Sequence, residues 1–285
     1  MNSTTEPPMN APPSRRPLLS QASRPLTVEI AAINEHGDSV PTAIAGEHPL
    51  TLYVDKREIV TLMTLGAAPE ALTVGWLRNQ RLVKSLDEIA AVQVDWEVDA
   101  VSVSTHSGLH DADQKLGSRT VTTGCGQGTV FGGLMDEIDQ VRLPQARQLK
   151  QSTLYALMEA VRHHESIYKQ AGAVHGCALA QATPAGCEIL MFFEDVGRHN
   201  AVDAIAGQMW LDGLDGADKI FYTTGRLTSE MVIKTAQMGI PFLVSRSGLT
   251  HMGWQIAQRI GLTMVGRAQG KHYLLFSGAD RFVRD

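Results

Sequence analysis

Cysteine is scarce: Cys125, Cys177 and Cys187 are the only three in 285 residues. An odd number this small cannot make a disulfide framework, so the sequence predicts a reducing compartment, the cytoplasm. No pair stands at ligand spacing, and Cys125-Gly-Gln-Gly128 lacks the second thiol of Cys-x-x-Cys, so no metal ligand is assigned. A zinc deaminase would need Pro-Cys-x-x-Cys beside its histidine motif, and His175-Gly-Cys177 has no such partner. Long apolar runs are missing too. Nothing approaches the roughly 18 consecutive apolar residues that cross a bilayer, and residues 1–25 hold no apolar signal-peptide core. A soluble protein without a membrane partner is expected. Nor is there an excess of positive charge: 25 Lys and Arg against 30 Asp and Glu leave a net charge of −5. That balance speaks against a nucleic-acid partner while allowing a local basic pocket.

What is there is an ordinary globular composition, 44% hydrophobic and 19% charged. Residues 1–25, with Pro7, Pro8, Pro12, Pro13, Pro17 and Pro25 among Ser, Thr and Asn, read as a disordered tail. Residues 26–145 read as a small α+β domain. Two short strands flank Asp55-Lys56 between Leu50 and Thr64, a helix spans Pro69 to Leu82, and Val101, Val103 and Thr105 alternate with serines as a third strand. The segment 117–133 then carries six glycines around Cys125 and reads as a mobile loop.

Residues 146–285 read as an α/β domain. A helix begins near Gln148, with Leu154, Leu157 and Val161 at helical spacing. Strands are expected at 174–180, 189–193, 219–223, 242–245 and 263–265, with helices at 200–210, 228–238 and 250–260. Such alternation predicts a largely parallel sheet covered by helices.

Three strand-to-helix junctions share one chemistry: Glu194-Asp-Val-Gly-Arg-His-Asn200, Thr223-Thr-Gly-Arg-Leu-Thr-Ser229 and Ser245-Arg-Ser-Gly-Leu-Thr250. Each sets an arginine beside a glycine and ends in a candidate N-cap, Asn200, Thr228 or Thr250, so unpaired helix N–H groups face the loop. Loops at the carboxyl ends of strands gather on one sheet edge, where Arg198, Arg226 and Arg246 would clasp a ligand with several phosphates. Each arginine taken singly reads equally well as a helix cap or a partner of Glu194, Asp195 or Glu230. Asp203 fits a variant capping box. His199 is open between binding phosphate, donating to a base edge and bracing its turn. Cys125, flanked by glycine, is free to travel and to accept sulfane sulfur as a persulfide, although a small residue in a flexible loop is the plainer local reading. Cys177 and Cys187 read as packed residues. Glu194 and Asp195 could serve a nucleotide-hydrolysing enzyme, but read more simply as solvated acids or arginine partners.

The runs Phe193-Glu-Asp-Val-Gly-Arg-His-Asn-Ala-Val-Asp203, Thr224-Gly-Arg-Leu-Thr-Ser-Glu-Met231 and Gly239-Ile-Pro-Phe-Leu-Val-Ser-Arg-Ser247 closely resemble the FdhD family of formate dehydrogenase accessory sulfurtransferases. The similarity spans about Leu50 to Phe276 and includes Leu52-Tyr-Val54 and Gly172-Ala-Val-His175. The resemblance implies a carrier that takes sulfur from a cysteine desulfurase and places it on the molybdenum bis(molybdopterin guanine dinucleotide) of the formate dehydrogenase catalytic subunit. It further implies a cytidine-deaminase-like three-layer α/β domain without the zinc, and a homodimer. Arg198, His199, Arg226, Ser229, Ser245 and Arg246 would form the guanine-nucleotide side of the cofactor site. Family members usually carry Cys-Gly-x-Cys in the loop. Gly128 replaces the second thiol here, leaving Cys125 as the expected persulfide bearer. The family's C-terminal binding segment corresponds to Arg267, Ala268, Gln269, Gly270, Lys271 and His272, departing from the pattern at Arg267 and Gln269. A non-catalytic chaperone for the same cofactor is the alternative that loss of a thiol allows.

Overall fold

A computed structural model of the chain describes residues 16–109, 138 and 140–285, and the segment 117–133 with Cys125 lies outside them. The smaller sheet is assembled from β1 (Leu18–Leu19), β4 (His48–Val54), β5 (Arg57–Thr64), β6 (Ile89–Asp95) and β7 (Ala100–Thr105), while β2 (Thr27–Ile33) and β3 (Ser39–Ala45) form a separate hairpin. Its order is β1-β6-β7-β4-β5. Period-2 alternation puts Leu50, Leu52 and Val54 on one face with Val101 and Val103. Helix α1 (Pro69–Asn79) covers that face with Leu72, Trp76 and Leu77. Pro69 opens α1, where a missing N–H costs nothing.

Residues 16–25 differ from the expected tail. Leu18 and Leu19 pair in parallel with Ala91 and Val92, and Glu70 accepts from Ser20 Oγ at 2.7 Å and Ala22 N at 2.9 Å. Arg24 stacks 4.8 Å from the Trp96 ring centroid. These anchors are tertiary, so proline content could not reveal them.

The larger sheet follows α2 (Gln151–His163) and α3 (Ile167–Ala171), with a short β8 (Leu149–Lys150) just before them. Its elements alternate: β9 (His175–Thr183), β10 (Gly186–Asp195), α4 (Arg198–Leu211), β11 (Lys219–Thr223), α5 (Ser229–Gln237), β12 (Phe242–Ser245), α6 (His251–Arg259), β13 (Thr263–Gln269) and β14 (His272–Ser277). A last short strand, β15 (Phe282–Val283), pairs with β8. The order is β10-β9-β11-β12-β13-β14, and only β11, β12 and β13 run parallel. The expected largely parallel sheet is therefore parallel at its centre only. Both flanks are hairpins, β9–β10 and β13–β14, whose tight turns force antiparallel pairing.

Side chains alternate across this sheet. Cys177, Leu179, Phe221, Leu243 and Met264 face α4, α5 and α6, whereas Ala178, Ala180, Ile220, Tyr222 and Val244 face Leu154, Leu157 and Met158 of α2. Helix α4 is buried on nearly all sides because α1 packs on its far face. Glycine makes that crossing possible: a Cβ on Gly75 would lie 1.7 Å from the Asp203 carbonyl oxygen, and one on Gly207 would lie 1.9 Å from that of Ala71.

Candidate functional site

Register brings the arginine junctions to one edge. Thr223 pairs with Ser245 on β12 and with Cys177 on β9, and Asp195 at the end of β10 pairs with His175 at the start of β9. The loops leaving β10, β11 and β12 thus emerge side by side and enter α4, α5 and α6. Thr228 and Thr250 are N-cap residues as expected, and Thr250 Oγ1 accepts from Gly253 N at 3.2 Å. Asn200 is not a cap. Helix α4 starts two residues earlier, after Gly197, and Asn200 instead donates to Met63 O at 2.7 Å and Asp195 Oδ1 at 2.9 Å.

The acids of the first junction also differ from expectation, because both are engaged by hydrogen-bond donors of the fold. Asp195 is buried and accepts from Thr64 Oγ1 at 2.5 Å and from the backbone N–H groups of Leu65 and Gly197, so it ties the small sheet to the site. Burial pushes its carboxyl above the usual range against the pull of those donors. Glu194 accepts from Ile167 N and Tyr168 N at the start of α3. Asp203 is no capping partner. It is fully buried, 2.8 Å from Lys234 Nζ, and accepts from Asn79 Nδ2 at 2.6 Å.

Arg198 is buried, and Arg226 and Arg246 are exposed at the same edge, with Arg246 lying 5.2 Å from the Tyr168 ring centroid. His175, at the start of β9, feels all three charges. Its imidazole is held below the ordinary 6.5 by burial first and then by Arg198, Arg246 and Arg226 together. His199 Nε2 faces Glu230 Oε2 at 3.3 Å, a contact that favours protonation, yet burial followed by Lys234, Arg198, His175 and Arg226 drives its pKa to about 2. Desolvation and the surrounding positive charge outweigh one carboxylate, so the ring is neutral at physiological pH. Its Nδ1 and Thr228 Oγ1 are buried with no hydrogen-bond partner among the described residues.

The other expected site residues are placed as follows. Ser229 is the first residue of α5. Ser245 Oγ donates to Gly225 O at 2.7 Å and accepts from Ser247 N at 2.9 Å, binding two of the loops together. Arg267 is exposed with φ of 52°, and its backbone N–H donates to Ser247 O at 2.8 Å, tying the end of β13 to the loop after β12. Ala268 faces the core under α2. Gln269, Gly270, Lys271 and His272 form the exposed tip of the β13–β14 hairpin beyond the same edge. Cys125 is outside the described residues. Cys177 is buried, with its thiol pushed up to about 12, and Cys187 is half-buried at about 11, so neither is a ready nucleophile. Among the described residues no group of three or more His, Cys, Asp or Glu could hold a metal ion.

Sequence reasoning named Glu230 only as an arginine partner and gave no role to His175 or Lys234. Helical spacing offered one signal: Glu230 and Lys234 stand four apart on α5, and their side chains approach to 3.8 Å. For His175 the signal was its place in the motif Gly172-Ala-Val-His175, since locally it merely opens an apolar strand.

A mixed sheet whose edge gathers three arginine-bearing loops and the starts of three helices defines an α/β protein with a candidate site at that edge. The model of the FdhD/NarQ family matches residues 45–283, and the chain belongs to that family. It is 30% identical over 246 residues to the sulfur carrier protein FdhD of Listeria innocua, covering 86% of this chain and 93% of that protein. It is 27% identical to the protein of the same name from Wolinella succinogenes, covering 82% and 80% of the two chains. A crystal structure from Desulfotalea psychrophila, assigned to a formate dehydrogenase accessory protein, superposes with a TM-score of 0.71 at 26% identity and covers 91% of this chain and all of that one. No helix among the described residues is long and apolar enough to cross a membrane.

Proposed function

We propose that this chain is a cytoplasmic sulfur carrier for formate dehydrogenase, a sulfurtransferase that relays persulfide sulfur through Cys125 to the enzyme's molybdenum bis(molybdopterin guanine dinucleotide). The observation that carries the reading is the register that sets the loops bearing Arg198, Arg226 and Arg246 side by side at one sheet edge, next to His175 at the start of β9. The cargo has two pyrophosphates and two guanines. Guanidinium forks and helix N-termini suit the former, and the buried unpartnered atoms of His199 and Thr228 offer hydrogen bonds that a base could complete. On this reading Ser229 and the hairpin tip at Gln269, Gly270, Lys271 and His272 close around the same ligand, with Arg267 and Ala268 carrying that hairpin and Ser245 bracing the loops. Helices on both faces of the large sheet suit a cytidine-deaminase-like layering, and on this reading residues 26–145, joined by the strand at Leu18–Leu19, and residues 146–285 are the smaller and larger domains of a homodimer's protomer.

The loading step is balanced without an external oxidant. The Cys125 thiolate attacks the terminal sulfur of a cysteine desulfurase persulfide, one S–S bond forms as another breaks, and the donor's thiolate leaves. With Gly128 in place of a second thiol, no internal disulfide can compete. The test incubates the protein with a desulfurase and cysteine, maps added sulfur by mass spectrometry, and measures formate dehydrogenase activation by Cys125→Ala. A mass increase of one sulfur on Cys125 and loss of activation in the variant are expected. Full activation by Cys125→Ala would reject the relay and leave a chaperone that shelters the cofactor.

A further inference from the structure

His175 stands at the centre of the arginine edge. It opens β9 between β10 and β11, opposite Asp195 and two residues from the Thr223–Cys177 pair. Its Nδ1 lies 3.4 Å from Thr224 Oγ1, which itself accepts from Gly176 N at 3.0 Å, so the loop after β11 sets the ring's orientation. The residue is half-buried, and Nε2 has no hydrogen-bond partner among the described residues. One ring nitrogen is held and the other is available.

We propose that His175 is a further ligand-contacting residue of this edge: it meets a pyrophosphate anion as a neutral ring, gains a proton as the anion binds, and donates a charged hydrogen bond from Nε2 to a phosphate oxygen. The inference rests on the polyanion reading above and deepens it.

The surroundings of the ring make the coupling unavoidable if the anion sits there. Arg198, Arg246 and Arg226 all act on the imidazole and, with burial, hold its pKa below 6.5. No nearby carboxylate offsets them. Glu194 is engaged by the backbone of α3, Asp195 is turned to Thr64, Leu65, Gly197 and Asn200, and Glu230 faces His199 and Lys234. His199, the other titratable ring, is neutral. Phosphate oxygens among the three guanidinium groups cancel the repulsion and add an acceptor, so the proton affinity of His175 rises. Linkage then requires that protonation strengthen anion binding by the same factor. The free ring titrates below 6.5 and the occupied ring higher than the free one, so affinity falls as pH rises through the interval between the two.

Guanosine diphosphate mannose is a suitable probe, because its pyrophosphate is a diester and does not titrate near neutrality. Calorimetry on the full chain at pH 6 and pH 8, each in two buffers of unlike ionisation enthalpy, gives affinity and proton uptake together. We expect uptake by the wild type and binding about tenfold tighter at pH 6, since each unit of pKa change is a factor of ten. His175→Gln should bind with the uptake and the pH dependence both lost, and His175→Asn provides the same comparison should the first variant not fold. Wild type that binds without proton uptake, or a variant that keeps it, overturns the inference. Arg226→Ala separates the two readings: weakened binding without uptake in the wild type sinks His175 alone, whereas no loss of affinity in Arg226→Ala sinks the arginine site itself.

Discussion

Asp203 and Lys234 are both almost wholly buried, and each is the other's main compensation for leaving water. Burial pushes the Asp203 carboxyl up while Lys234 and Asn79 pull it back, the balance lying on the raised side. Removing one partner strands a buried charge, which costs far more than the pair contributes, so Asp203→Ala should destabilise by about 3–5 kcal/mol in urea denaturation. Adding Lys234→Met should recover much of that loss; a double variant as unstable as the single one would mean that packing, not charge, is at stake. At this scale the sequence was readable where chemistry is local. Arg198, Arg226 and Arg246 were found because each accompanies a glycine at a strand-to-helix junction. Asp203 was misread because the start of α4 was set two residues late, which turned a mid-helix acid into a first-turn one. His175 acquires its place at the edge from strand pairing across the sheet, which the motif Gly172-Ala-Val-His175 marks without explaining.

The crossing of α1 and α4 is the contact on which the position of the first arginine loop depends. Gly75 and Gly207 let the two backbones touch, and Arg78 then spans the seam, donating to Ala206 O at 2.9 Å and lying 4.7 Å from the Trp210 ring centroid. A methyl group on Gly75 has no space, since the nearest atoms are backbone and cannot rotate away. Gly75→Ala should therefore lower stability by about 1–3 kcal/mol or more, while Gly248→Ala, with nothing within 4 Å of its added Cβ, should stay within about 0.5 kcal/mol. Thermal melts of the two variants decide it, and equal melting temperatures would show that α1 shifts freely. Elements with strong periodicity were legible: α1, α2, α5 and α6 and the strands β4, β5, β7, β9, β11 and β12 lie where expected. The hairpin β2–β3 was not, because its apolar residues are half-exposed and frame a turn without glycine at its first position. Strand direction escaped for a different reason, since apolar runs carry no sign of which neighbour they pair with.

The molecule has a core under each sheet, yet α4 belongs to both. Its Ala201, Val202, Ile205 and Met209 pack beneath the large sheet, while Ala204 and Leu211 join the core of the small one, and Phe193 touches each. Asp195 and Asn200 add a polar tie to Thr64, Leu65 and Met63 at the end of β5. Losing the small sheet would expose one face of α4, deprive Asp195 of the Thr64 and Leu65 donors and loosen the loop that carries Arg198. The two cores should therefore unfold together. Tryptophan placement makes this measurable: Trp76 and Trp96 report the small core, whereas Trp254, whose Nε1 donates to Phe276 O at 3.1 Å, reports the large one. In a Trp254→Phe variant, fluorescence follows mainly the small half, and its urea midpoint should coincide with that of the far-ultraviolet circular dichroism of the whole chain. A fluorescence transition at clearly lower urea would mean that the small sheet melts first and that α4 can hold the arginine edge without it. Coincidence would mean that the site has no stability separate from the seam, so that Gly75→Ala, outside the three arginine loops, should weaken guanosine diphosphate mannose binding as it approaches its own melting temperature.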